Sequence, residues 1–152
     1  MLGALLVGGL MMGVTVLIHS AGTVLLMRSL SANAPAAVDR HGSLGKQMVM
    51  ILSAGWLLLL HVIEIAAWAF AYLLSDSVTA IKSYEDAFYF SSVTFSTLGY
   101  GDIVISDPHW KLTCGLQAVN GILLCGWSTA LLFVLVQHLF LRHVVPPHEH
   151  EP

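Results

Sequence analysis

Charge is scarce in this chain. Asp, Glu, Lys and Arg make up 10% of its 152 residues, against roughly a quarter in an ordinary soluble domain. With 57% hydrophobic residues and a mean hydropathy of +0.80, that scarcity excludes the usual water-soluble globular class and leaves a membrane composition. Only six Lys and Arg are present and the net charge is -3, so there is no basic stripe for nucleic acid. No H-E-x-x-H pattern occurs, which removes the metalloprotease ligand set that motif supplies. Cysteine is nearly absent. Cys114 and Cys125 fall in one apolar run, and on a helix they would stand about 16 Å apart, too far to bridge each other. They read as small packing residues. Nothing outside the apolar runs is long enough to fold alone, so no soluble sensing domain, enzymatic function or organic cofactor is expected.

What the chain has instead is long apolar runs. Met1–Met27 carries no charge and is broken only by Thr15, His19, Ser20 and Thr23. Ala32-Asn33-Ala34 resembles a signal cleavage site, but no basic residue precedes the run, and it is about twice the 7–15 residues of a signal's apolar region. It is predicted to be a retained transmembrane helix. Gly9-x-x-x-Gly13 on it is the spacing at which membrane helices approach closely, although glycine is common enough there for the match to be chance. Residues 47–74 and 112–141 are the second and third runs, each long enough to span.

Between the first two runs, Arg28–Lys46 holds Arg28, Arg40, His41 and Lys46, with Asp39 its only acid. Ser31, Asn33, Pro35, Gly42 and Gly45 predict an irregular connector. Its basic residues, with Arg142 after the last run, put connector and carboxyl terminus in the cytoplasm and the amino terminus outside. Trp68, Tyr72, Trp110 and Lys111 suit the opposite interface.

Between the second and third runs lies Tyr84–Asp102, YEDAFYFSSVTFSTLGYGD, too short and too polar at its end to cross a bilayer. Ser83-x-x-Asp86 predicts the start of a short helix, 84–96, and Asp107-Pro108 a turn before the last span. Backbone at membrane depth must satisfy its polar groups internally or line a water-filled cavity. Gly99 and Gly101 permit backbone angles closed to other residues, so successive carbonyls can face one way. The end of the short helix would present about half a negative charge to a cation.

Thr97-Leu98-Gly99-Tyr100-Gly101-Asp102 resembles the selectivity filter of the potassium-channel pore family, usually written T-V-G-Y-G-D, and the resemblance extends over residues 47–141, about two-thirds of the chain. It implies an all-α membrane protein, bacterial in type and in the plasma membrane. Three transmembrane helices and a re-entrant pore helix with its filter loop would assemble as a homotetramer in the lipid bilayer. The implied organisation is an amino-terminal helix with basic connector (1–46), a pore module (47–142: outer helix 47–74, pore helix 84–96, filter 97–102, inner helix 112–141) and a disordered tail (143–152). Residues Thr97, Leu98, Gly99 and Tyr100 would hold K+, the permeant ion, through their carbonyls, with Gly101, Tyr89 and Asp102 as support behind them. Tyr89 and Phe90, with Tyr100, would form an aromatic cuff. Gly121 stands where the family carries its hinge glycine, close helix packing being the alternative, and Ile122, Cys125, Thr129 and Phe133 would share the cavity face. Leu98 departs from the family's Val, which leaves a weakly selective cation channel as a second reading. A non-conducting membrane scaffold is a third.

Two further features stand apart. His61 and Glu64 lie on one helical face within a span, where an acid costs about 2.5–3.5 kcal/mol and so needs a partner or a proton. His61 is the nearest partner, with His19, Asn120 and Ser128 as others. The pair is either a structural hydrogen bond or a pH-sensitive latch. In the tail, His148 and His150 alternate with Glu149 and Glu151, a loose metal-binding pattern or simply a solvated end.

Overall fold

The computed structural model describes residues 2–75 and 78–141. Four helices follow one another: α1 Leu2–His41, α2 Ser43–Leu73, α3 Tyr84–Phe95 and α4 Pro108–Val136, with a π-helical turn at Gln137–Leu141. No strand occurs among the described residues, and the protein is all-α. Three helices are long and apolar enough to cross a membrane: Leu5–His41, Ser43–Leu73 and Pro108–Phe140. Helix α3, with 12 residues, rises only about 18 Å, short of the ~30 Å hydrocarbon core.

The irregular connector is a correction. Helix α1 runs through Pro35 to His41, and Gly42 alone, at φ 55°, turns the chain into α2. Local breakers lose here to packing. The side chains of Ser31 and Asn33 bond back to the carbonyls of Arg28 and Ser29, so they do not compete with the helix. Gly45 then lets α2 lie directly on the Ala37 carbonyl, where any side chain would collide. The outer helix also starts earlier than expected, at Ser43, and the inner helix at Pro108 rather than 112.

Helices α1 and α2 form an antiparallel hairpin, tied by the Trp56 indole N–H donating to the Gly22 carbonyl at 2.9 Å. Helix α4 packs against both, and α3 wedges between α2 and α4. The main core lies at that wedge: Trp68, Ala69 and Tyr72 of α2, Ala87, Phe90 and Phe95 of α3, and Leu124 of α4. Between helices in lipid, apolar burial contributes little drive, so close packing and polar contacts hold the bundle. Among the described residues nothing lies within 4 Å of where a side chain would start at Gly9 or Gly13, so that spacing makes no close approach within the chain. Arg142 and the tail, with His148 and His150, lie outside the described residues.

Candidate functional site: the helix end and the segment behind it

Helix α3 begins as its sequence predicts. Ser83 is the N-cap, its hydroxyl accepting from the Asp86 amide at 3.0 Å, and Glu85 and Asp86 occupy the first turn. Its other end sets up the site. The Thr97 amide donates to the Thr94 carbonyl at 3.0 Å and the Leu98 amide to the Val93 carbonyl at 2.9 Å. Those two bonds, around a residue of positive φ, are a left-handed helix stop that usually uses glycine. Here the residue is Thr97, at φ 61°, and a β-branched side chain in that region is strained by about 1–2 kcal/mol. Strain of this kind persists where surrounding structure holds it, commonly at functional sites.

The positive φ recurs at Gly99 (56°) and Gly101 (80°), while Leu98 and Tyr100 between them stay negative. Alternating backbone hand flips successive peptide planes. Such an alternation is the backbone device by which N–H groups can gather on one side and leave the carbonyls for the other. The Gly99 amide also reaches the Val93 carbonyl, at 3.3 Å. Leu98 and Tyr100 are 60% and 67% exposed on the single chain, so nothing among the described residues covers this strip.

Behind the strip, the Tyr89 hydroxyl donates to Asp102 Oδ2 at 2.7 Å, which joins the middle of α3 to the far end of the segment. That bond holds the Asp102 carboxyl below its ordinary pKa range. Phe90 does not join it, which corrects the expected cuff. It lies in the core, edge-on to Tyr72 with ring centroids 5.2 Å apart. Adjacent helical residues point about 100° apart, so Tyr89 and Phe90 cannot both face the segment.

Helix α4 divides cleanly. Ile122, Cys125, Thr129 and Phe133 share an exposed face, and Gln117, Asn120, Gly121, Leu124 and Ser128 are buried. Gly121 meets the end of α3. A methyl group there would run into the Phe95 carbonyl, so close approach requires the glycine. Both cysteines are free, as their spacing requires.

Two buried polar networks brace these elements. Gln117 accepts from the Tyr72 hydroxyl at 2.7 Å, and its amide donates to the Ser91 hydroxyl at 2.7 Å and the Ser91 carbonyl at 3.2 Å. Ser91 passes its own hydrogen to the Ile65 carbonyl at 2.9 Å. One amide thus clamps α3 to α2 and α4. Sequence reasoning missed Gln117, though a long polar side chain inside a span was the signal.

The second network centres on Glu64. Its Oε1 lies 2.8 Å from His19 Nδ1 and its Oε2 3.0 Å from His61 Nδ1. Ser128 Oγ closes the set, 3.0 Å from His61 Nε2 and 3.4 Å from His19 Nε2. The two imidazoles stack at 5.4 Å, and His61 faces the Phe95 ring at the end of α3. His19, His61 and Ser128 are therefore all brought to Glu64's surroundings. Asn120 is not: it donates to Thr15 at 2.7 Å. The ligand atoms of His19, His61 and Glu64 lie within 4.8 Å of one another, but both carboxylate oxygens and all four ring nitrogens already face protein partners. The set is closed on itself rather than open toward an ion.

Comparison with known proteins bears on the same region. A family model described as "Ion channel" matches residues 58–138, just over half of the chain. Potassium channel subfamily K member 18 of Mus musculus is 35% identical over 71 residues, 38% of this chain and 18% of that protein, and its Rattus norvegicus counterpart matches equally. Two-pore potassium channel 4 of Arabidopsis thaliana is 33% identical over 98 residues, 64% of this chain and 34% of its own length. The chain spans about a fifth to a third of the length of these curated relatives. No solved structure matches it.

Proposed function

The chain belongs to the ion-channel family, and from that premise we propose that it is a potassium channel, assembled from four copies around the 97–101 strip. The observation that carries the proposal is the alternation of φ sign at Thr97, Gly99 and Gly101, directly after a helix end. A strip of carbonyls of that form replaces a hydration shell when several copies surround one axis. Each chain contributes one strip, so a closed ring needs copies of the chain.

Other features support the same arrangement. The exposed side chains of Leu98 and Tyr100 and the exposed face of α4 offer surfaces for neighbouring copies and for a cavity below them. Potassium is the ion because the segment matches the family motif at Thr97, Gly99, Tyr100, Gly101 and Asp102, and because the relatives above are named potassium channels. Thr97, Leu98, Gly99 and Tyr100 present the carbonyls, and Tyr89 with Asp102 braces them. Thr129 and Phe133 line the cavity. Arg28, Arg40 and Lys46 hold the α1–α2 turn on the cytoplasmic side, with the amino terminus outside. No arginine-rich helix is present among the described residues, which argues against steep voltage gating.

The test is flux from the purified full chain in liposomes. Potassium gradients should drive flux that sodium gradients do not, and Gly99→Ala should abolish it, because a side chain at that φ is strained whatever the space around it. Equal potassium and sodium flux would make the chain a weakly selective cation channel instead. A particle that does not contain four chains, or one that passes no ion, would overturn the proposal.

A further inference from the structure

The Glu64 network raises a question of hydrogens that the pore does not answer. It comprises four contacts: His19 Nδ1 to Glu64, Glu64 to His61 Nδ1, His61 Nε2 to Ser128, and Ser128 to His19 Nε2. Together they form a closed ring through α1, α2 and α4. Each contact needs one hydrogen between its two heavy atoms, whichever side carries it. An ionised carboxylate supplies none, a neutral imidazole one each, and the Ser128 hydroxyl one. That is three hydrogens for four contacts. A buried contact without its hydrogen sets two lone pairs against each other and costs the desolvation of both.

We infer that the ring binds one proton more than an ionised Glu64 with two neutral histidines, and that this proton is the ligand the site is built for. With it, all four contacts close. The set is then electrically neutral whether the proton is drawn on Glu64 or on either imidazole. Glu64 and His19 are fully buried and His61 nearly so, and neutrality is what such a position requires. A divalent metal ion held by the same three side chains would leave a net positive charge there. Removing the proton leaves a net negative charge and one open contact. Adding a second leaves a net positive charge and two hydrogens facing each other. Around the ring the described neighbours add no opposing charge: Cys125 of α4 is the other titratable group within electrostatic reach of Glu64, and Thr15, Trp127 and Phe95 are not ionised. The site joins α1 to the pore-forming helices by a bond whose completeness depends on proton activity.

The experiment is thermal unfolding of the full chain in detergent from pH 5 to pH 10, with histidine 15N NMR to count ring hydrogens. Unfolded, the chain gives up this proton above roughly pH 6.5, the ordinary histidine range. The folded ring keeps it, so stability falls as pH rises further, by about 5 °C or more in Tm between pH 7 and pH 9.5. Glu64→Gln isolates the effect. The amide donates one hydrogen and accepts another, closing all four contacts with no proton to lose. This variant should match the wild type near pH 7 and lack its alkaline decline. Ser128→Ala removes two contacts, leaving two that an ionised Glu64 and neutral histidines satisfy, and should make the decline shallower, the buried charge alone still favouring the proton. The inference fails if both variants keep the wild-type alkaline slope, or if NMR shows both rings neutral beside an ionised carboxylate at pH 7. It also fails if zinc raises Tm in a Glu64-dependent, chelator-reversed way, which would make the occupant a metal. None of these readouts depends on ion conduction.

Discussion

Two sets of polar side chains are buried among the same helices, and they are built on opposite plans. In the Gln117 set, a carboxamide offers donors and an acceptor that no ordinary pH alters, and each meets a fixed partner on Tyr72 or Ser91. In the Glu64 set, every member but Ser128 is an acid or an imidazole, and the hydrogens are shared around a ring. The first clamps α3, whose end launches the strip. The second ties α1 to helices that surround the strip. The short helix is held by chemistry indifferent to solution conditions. Helix α1, which precedes the family match, is held by chemistry that the inferred proton makes responsive to them.

Breaking the fixed set should have the largest effect. Gln117→Leu leaves the Tyr72 hydroxyl only its weak 3.5 Å contact with Cys114 Sγ and strips one side of Ser91 in a buried site, at a cost of about 2–3 kcal/mol. Unfolding measured from pH 5 to pH 9 should show that loss to be constant, and a loss that grows toward one end would erase the contrast. Next comes Gly121→Ala, whose methyl group strikes the Phe95 carbonyl at the end of α3, beside the His61 ring. Overpacking of this sort costs about 1–3 kcal/mol. Potassium flux in liposomes should fall further than stability does, because the displaced atoms belong to the helix end. Thr97→Gly should be smaller and of opposite sign. It relieves a strained φ and stabilises the fold by about 1 kcal/mol in a denaturation series, while lowering potassium-over-sodium flux ratios.

The smallest effect concerns the exposed contact. Tyr89→Phe takes away the donor that holds Asp102 below its ordinary pKa. A depressed carboxylate contributes above the ordinary value and loses that contribution only as pH falls through its folded value. The wild type should therefore keep its conductance to a lower pH than Tyr89→Phe, as flux measured between pH 3 and pH 6 would show.

Much of this was legible in the residues. The apolar runs announce three spans, and Ser83 caps α3 as its spacing to Asp86 suggests. Asp107-Pro108 reads as a turn and is in fact the start of α4, where Asp107 caps the helix by accepting from the His109 amide at 2.8 Å. The extension of α1 through Pro35 was not legible, because local signals say nothing of the Ala37–Gly45 contact that overrides them. Phe90 was misplaced by treating neighbours on a helix as neighbours in space. Within the candidate site, Glu64 declares itself through the cost of an acid in a span, and His19 and Ser128 are partners the sequence offers. Their closure into a ring is a matter of helix registry, which no single segment encodes. Gln117 carried the same kind of signal, but its two partners sit on two other helices.

The two amides that fold back onto Val93 carry one last implication, for length rather than composition. Because the helix stop and the first turn of the strip share that carbonyl, the segment has no slack. Inserting one residue between Ser92 and Thr97 would swing everything beyond by about 100° and turn the strip sideways from its present facing. Natural variants of this stretch are thus free to trade side chains yet should never differ in residue count.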